Sequence, residues 1–156
     1  MDKTIHDVSR DGRGLRILLP GAAAEGALAV VDCEIAASTS GPPLHTHPES
    51  DETFIVLSGQ LLVRAGDDLH ALGADDVLRV PRGTPHTFAS PVAAGARFLT
   101  VHSPAGFEEF HAAAAAGERD RGEPLGMDGL VALARQYDWA PAGPPLLPNG
   151  ELAARP

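Results

Sequence analysis

This sequence predicts an all-β fold, a small sandwich or barrel of short strands with a helical cover at its C-terminal end. Three observations predict it. Short β-rich runs recur between residues 14 and 102, parted by turns rich in Gly and Pro, which is the pattern of sandwiches and barrels. After Ser103 the apolar period changes: Phe107, Phe110, His111 and Ala114 fall at i, i+3, i+4 and i+7, a helical spacing. The chain has 156 residues and is 44% hydrophobic, enough for one domain with a sizeable core.

Taken in order, residues 1–13 are polar and are expected to form a loose arm. "LRILLP" reads as a first strand stopped by Pro20, "GAAAEGA" as a small-residue linker and "LAVVDCEIA" as a second strand. Gly41, Pro42 and Pro43 then break the chain,. "TFIVLSGQLLVRAGDD" reads as a hairpin about Ser58-Gly59, with Gly66-Asp67-Asp68 making the next turn,. "DVLRVP", "HTFAS" and "ARFLTVHS" are further strands. Ser103 suits a helix N-cap, Pro104 the first helical position and Gly117 the close,. A second helix fits 128–137, with Leu130, Leu133, Ala134 and Tyr137 on one face. The tail "APAGPPLLPNG" is Pro-rich and expected to be extended,. One domain, 1–156, is expected: a β core at about 14–102 and a cover at about 103–156.

Composition narrows the function classes. The formal net charge is −9 and no basic cluster occurs, so nucleic acid is not an expected partner. The single cysteine, Cys33, sits in a strand and reads as a buried inert thiol. No apolar run reaches membrane-spanning length and "MDKTIHDVSRDGRG" has no signal-like apolar region, so a cytoplasmic protein without a membrane partner is expected.

The stretch "GPPLHTHPESDETFIVLSG", Gly41 to Gly59, crowds ionisable groups against an apolar run. Residues i and i+2 of a strand share a side, so His45 and His47 present two imidazoles to one point. Glu52 opens the next strand, and residues 48–51 can turn it back toward them. Glu49 and Asp51 are rival carboxylates that read as a solvated turn. In "DDVLRVPRGTPHTF", His86 begins a strand just past the Pro81–Gly83 turn. Three imidazoles and one carboxylate suit a divalent ion and leave one or two of its positions open, as a catalytic metal requires.

The two stretches together resemble the cupin superfamily. His45-Thr46-His47, four residues, Glu52, six residues and Gly59 follow its first motif, with Gly41 nearer the histidines than usual. Pro81-Arg82-Gly83-Thr84-Pro85-His86 follows the second, with Asp75 replacing the usual leading glycine and Ser90 the usual closing asparagine. The likeness covers roughly residues 28–102. "HSPAGFEEF" and the Gly-Pro-Pro tail are similar to small quercetin-dioxygenase-like cupins. The resemblance implies a double-stranded β-helix, or jelly-roll barrel, and a homodimer. It implies His45, His47, Glu52 and His86 as ligands of one divalent transition metal, iron or manganese first, zinc or nickel next. It implies an O2-using dioxygenase acting on a small organic molecule. The alternatives are a metal-assisted isomerase, lyase or polyketide-type cyclase, and a non-catalytic binding cupin.

Other residues follow by alternation. If Glu52 points inward, Phe54 and Val56 do too, and Phe88 joins them two positions beyond His86; these three would wall a substrate pocket. Glu52 is a candidate to take a substrate proton. His102 ends the last strand and is either a general acid or base at the pocket mouth or a rim histidine bonded to a carbonyl. His111 reads as a packing residue. Arg64 and Arg79 sit in strands and read as surface residues unless they face a carboxylate substrate. Every proposed ligand lies in the β part, so that part alone is expected to keep some metal binding.

Overall fold

Period-two burial runs through the strands of the computed structural model, which describes residues 6–9 and 13–154. The strands are β1 (His6–Asp7), β2 (Gly14–Leu19), β3 (Ala29–Ile35), β4 (Pro43–Thr46), β5 (Asp51–Gly59), β6 (Leu61–Ala65), β7 (Asp68–Leu72), β8 (Val77–Val80), β9 (His86–Ala89), β10 (Ala96–Ser103) and β11 (Ala140–Pro145). Two helices, α1 (Glu108–Arg121) and α2 (Gly126–Ala134), lie between β10 and β11. In β5, Glu52, Phe54 and Val56 are buried while Asp51, Thr53 and Ile55 are not. In β10, Ala96, Phe98, Thr100 and His102 are buried on alternate positions.

The strands form two antiparallel sheets, ordered β1-β2-β3-β10-β5-β8 and β11-β4-β9-β6-β7. Their inner faces enclose a core that includes Phe54, Phe98, Leu61, Val63 and Val31. Phe54, Phe88 and Phe98 meet there with ring centroids 5.3–6.1 Å apart, which concentrates much of the scarce aromatic surface in one place. A second cluster of Phe107, Phe110, Ala114, Ala134 and Trp139 joins the helices to the segment before β11. The expected all-β jelly roll with a helical cover is the fold observed.

Several local expectations are corrected. β5 and β6 do not form a hairpin, since β5 pairs with β8 and β10, and β6 with β7 and β9. The chain passes from one sheet to the other at Gly59, whose φ is +78°. A Cβ on Gly59 would meet the Gly95 carbonyl oxygen at 2.0 Å, so the crossover needs glycine for backbone conformation and for space. The expected turn at Gly66-Asp67-Asp68 does join β6 to β7. Residues 1–13 are not wholly a loose arm: His6–Asp7 pair with β2, and Val8 is buried.

The first helix begins at Glu108 rather than Pro104. The Ser103 hydroxyl donates to the Ala27 carbonyl at 3.0 Å and caps no helix, and Gly106 has φ +140°, outside helical space. The buried Glu108 carboxylate accepts from the N–H groups of Gly21 and Gly106 at 2.8 and 2.7 Å. The helix passes through Gly117 and stops at Gly122, where φ is +73°. The Pro-rich tail is extended, as expected, and also adds β11 to the sheet. The β architecture therefore does not end at 102.

One ion-pair group lends itself to a stability test. Asp32 on β3 is buried and accepts from Arg97 at 2.9 and 3.2 Å, and from Arg16. Burial works to raise its pKa, but the two guanidiniums hold it below the ordinary carboxylate value. A depressed folded pKa adds stability above the unfolded value of about 3.9, and this is lost as pH falls through the folded pKa. Both arginines are nearly half exposed, so solvent screening limits the gain. Asp32→Asn is expected to cost about 1–2 kcal/mol at pH 7. The deficit should shrink below pH 4 in urea denaturation; a deficit independent of pH would contradict the ion-pair account.

Candidate metal centre

Four strands meet where the histidines lie. His45 is in β4 and pairs in register with His86 of β9. Glu52 opens β5 and pairs with His102 of β10. His47 follows β4, and its carbonyl accepts from Gly83 N–H at 2.8 Å, which fastens the Pro81–Gly83 turn beneath the site. Gly41 lies against β9 so closely that a Cβ would sit 1.6 Å from the Phe88 carbonyl oxygen. No side chain fits there, and the path into β4 depends on that approach.

His45, His47, Glu52 and His86 each offer one ligand atom, all within 4.8 Å of one another, and all four residues are buried. Whether they suit a metal can be judged from their other bonds. The Nδ1 atoms of His45 and His86 face the carbonyls of Pro43 and Thr84 at 2.8 and 2.9 Å. His47 Nδ1 faces the carbonyl of Asp138. A carbonyl only accepts, so each Nδ1 carries a proton and each ring turns its Nε2 inward, the atom with which an imidazole so held would ligate a metal. His47 Nε2 is buried without a hydrogen-bond partner among the described residues. Imidazole nitrogens turned inward beside a carboxylate are the donor set of a first-row divalent ion.

The electrostatics agree. Burial and the neighbouring imidazoles hold His45 well below the ordinary histidine value, so it is neutral at physiological pH. Burial also acts to lower His47, but the Glu52 carboxylate outweighs it and raises that ring's pKa. Burial pushes Glu52 upward, yet His102, His47 and His86 together hold it well below the carboxylate range. The ionised Glu52 lies 2.7 Å from His86 Nε2, 3.3 Å from His47 Nε2 and 3.5 Å from His102 Nε2.

The rival carboxylates stand elsewhere. Asp51 faces outward and is held well below its ordinary value by Arg82 and Arg79. Glu49 is exposed, and its N–H donates to Asp138. Arg79 is thus a surface partner of Asp51, and Arg64 reaches the Asp67 carbonyl at 3.2 Å. Neither lines the cavity beside the histidine cluster.

That cavity has a volume of about 360 Å³. His45, His47 and Glu52 form part of its wall, and Phe88, Phe98, Phe107, Phe110 and Trp139 supply aromatic surface. Phe88 lines it as expected. Phe54 and Val56 do point inward, but they belong to the core and are not among the lining residues. One pleat step along β5 already takes the side chain away from the cavity and into packing between the sheets. His102 is not at a rim: it is 1% exposed, packs against His47 and Phe107 with centroids 4.9 and 5.2 Å apart, and bonds to no carbonyl through Nδ1 among the described residues. Cys33 lines the cavity, and burial raises its thiol's pKa far enough to keep it protonated,. His111 lines it too, beside Phe107 and Phe110.

Three contributors were not visible in the sequence. Asp138 binds His47 through its carbonyl, while its carboxylate accepts from Glu49 N–H, Ser50 N–H and Ser50 hydroxyl at 2.8, 2.9 and 2.6 Å. Trp139 stacks on His45 with centroids 5.6 Å apart. Arg13 lines the cavity. All three lie outside the motifs, and no spacing announced them.

A jelly roll that gathers three imidazoles and a carboxylate in its interior defines a class, the β-barrels with an internal cluster suited to a metal. Comparison with known proteins agrees with the fold. The model of the family described as "Cupin domain" matches residues 31–102, the stretch that holds all four clustered residues. The chain is 49% identical over 49 residues to the uncharacterized protein YdbB of Bacillus subtilis, covering 31% of this chain and 43% of that protein. It is 44% identical over 55 residues to the oxidoreductase iacF of Pestalotiopsis fici, covering 35% of this chain and 27% of that protein. The chain thus spans less than half the length of these curated relatives. Among solved structures it is similar to the polyketide cyclase RemF of Streptomyces resistomycificus, with TM-score 0.55 and 22% identity, over 66% of this chain and 80% of that one. That likeness shows the fold. No helix among the described residues is long and apolar enough to cross a membrane.

Proposed function

We propose that this protein is a metal-dependent enzyme acting on an apolar small molecule, with O2-using oxidation of the dioxygenase kind as its reaction. The observation that carries the proposal is the buried set of His45, His47, Glu52 and His86, three of which open onto a mainly apolar cavity. An iron or manganese ion held by those four residues would supply Lewis acidity and one-electron chemistry toward O2. The chain's own groups do the rest. The aromatic walls exclude water and orient a flat substrate. Glu52 is ionised and borders the cavity, so it is placed to accept a substrate proton. His102, in contact with the other carboxylate oxygen, steadies the charge there. The oxidoreductase named among the relatives supports the redox reading over the stretch it shares.

A second reading omits the redox step. Glu52 and His102 form a buried carboxylate–imidazole pair, and such a pair equally serves an isomerase, lyase or cyclase, with zinc or nickel in place of iron. Elemental analysis of protein from a metal-replete culture, followed by turnover assays on enolisable aromatic ketones with and without O2, tests both. Dioxygenase activity should consume O2 and stop under anaerobic conditions. Turnover that continues without O2 rejects the oxidation and favours the second reading. Protein devoid of any first-row metal rejects both.

A further inference from the structure

Four imidazoles gather about Glu52, and they are held in two different ways. His45, His47 and His86 each have Nδ1 on a backbone carbonyl. Nε2 of His86 and of His47 lie 2.7 and 3.3 Å from one carboxylate oxygen, Oε2. His102 has no such carbonyl: its buried Nδ1 meets no hydrogen-bond partner among the described residues. Its Nε2 faces the other oxygen, Oε1, at 3.5 Å. An imidazole keeps its proton on the nitrogen that has an acceptor, so His102 carries one on Nε2 and turns it to Oε1. His102 also stands outside the cluster of four that could share an ion. The ring is fixed where it is. His102 pairs with Ala29 on one side and Glu52 on the other, and it packs between His47 and Phe107. Just beyond it, the Ser103 hydroxyl donates to the Ala27 carbonyl and the Ala105 N–H to the Gly26 carbonyl, each at 3.0 Å.

We propose that His102 is a positioning residue that keeps Glu52 a one-oxygen ligand: it holds Oε1, so that only Oε2 is turned to the metal. The inference rests on reading His45, His47, Glu52 and His86 as the metal site. A carboxylate can take a metal with one oxygen or with both. With three imidazoles in place, two-oxygen binding leaves an octahedral ion such as manganese about one open position, and one-oxygen binding leaves about two. A substrate donor needs one position and a co-reactant a second. The His102 N–H thus sets how many partners the centre admits, although His102 itself does not line the cavity.

Mn2+ loaded into the whole chain is the probe, and water-proton relaxation reads the exchanging waters bound to it. His102→Phe keeps a ring in the same space and removes the donor. It should lower the relaxivity of bound Mn2+ about twofold with metal affinity retained. His102→Gln keeps an N–H donor and should restore the native value, which a merely structural role would not require. Infrared difference spectra of the native protein with and without Mn2+ test the same point without a variant. They should show the widely split carboxylate stretches of one-oxygen binding; the narrow splitting of two-oxygen binding overturns the proposal. Unchanged relaxivity in His102→Phe overturns it too and leaves the metal reading standing. Weakened metal binding with raised relaxivity in both variants marks His102 as a ligand itself, which again overturns it. Native protein that takes up neither Mn2+ nor any other first-row ion sinks the metal reading and this proposal together.

Discussion

Glu52→Gln is expected to lower turnover by about 10²–10⁴-fold while the protein still folds. The substitution preserves size and keeps one oxygen toward the imidazoles, so the packing around β5 has no reason to fail. It removes the charge that His47, His86 and His102 surround. Two consequences follow. The raised pKa of His47 loses its main upward cause, and the metal loses its one anionic ligand, so metal binding weakens. The group placed to accept a substrate proton also loses its basicity. Excess added metal separates the effects: restored occupancy should recover none of the rate if Glu52 takes the proton, and all of it if Glu52 is only a ligand. Metal content and rate should be measured on the same samples, with a melting curve to confirm folding. Unchanged rate and metal content would remove Glu52 from the site altogether, since the other nearby carboxylate, Asp51, is committed to Arg79 and Arg82.

The clustering of His45, His47, Glu52 and His86 was legible in the sequence because its logic is local. His45 and His47 are two apart, Glu52 follows one turn later, and His86 opens a strand after a glycine turn whose geometry only a few sequences satisfy. Period two then placed Glu52, Phe54 and Val56 on one side of β5 correctly. Period two says which face a residue shares and not how deep along the barrel it lies, and so Phe54 and Val56 were assigned to a pocket they stand behind. The β5–β6 hairpin misled for a related reason: a glycine between two apolar runs marks a reversal or a passage between sheets equally well, and tertiary pairing decides. The start of α1 was misplaced because Ser103 and Pro104 have the right chemistry for a helix start, while Gly106 breaks the helical path two residues on. Arg13, Asp138 and Trp139 were invisible. Each reaches the site across more than 25 residues of intervening chain by the placement of β2 or β11, and nothing local distinguishes them from surface residues.

Asp138→Ala is expected to weaken metal binding by about 10- to 100-fold, the usual effect of losing a group that positions a ligand. Residue 138 is the point at which the C-terminal segment grips the centre. Its carbonyl holds the His47 Nδ1 proton, which fixes the ring's tautomer and direction. Its carboxylate gathers three donors from Glu49 and Ser50, and these residues form the turn between the His47 and Glu52 ligands. Immediately after it Trp139 stacks on His45, and Pro141 of β11 pairs with His45 on β4. Removing the carboxylate leaves three donors without their acceptor and frees the turn to relax, so His47 and Glu52 lose their mutual setting. Asp138→Asn keeps one acceptor oxygen and should lose less. Chelator competition reads metal affinity, and thermal unfolding of the same variants reads stability. A lowered melting temperature with native metal affinity would show a purely structural role and sink the positioning account. The same contacts reverse the expectation that the β part alone keeps its metal: a chain ended near Ser103 retains all four ligands but lacks the acceptor for His47, the ring over His45 and the strand beside β4. It should retain metal no better than Asp138→Ala does.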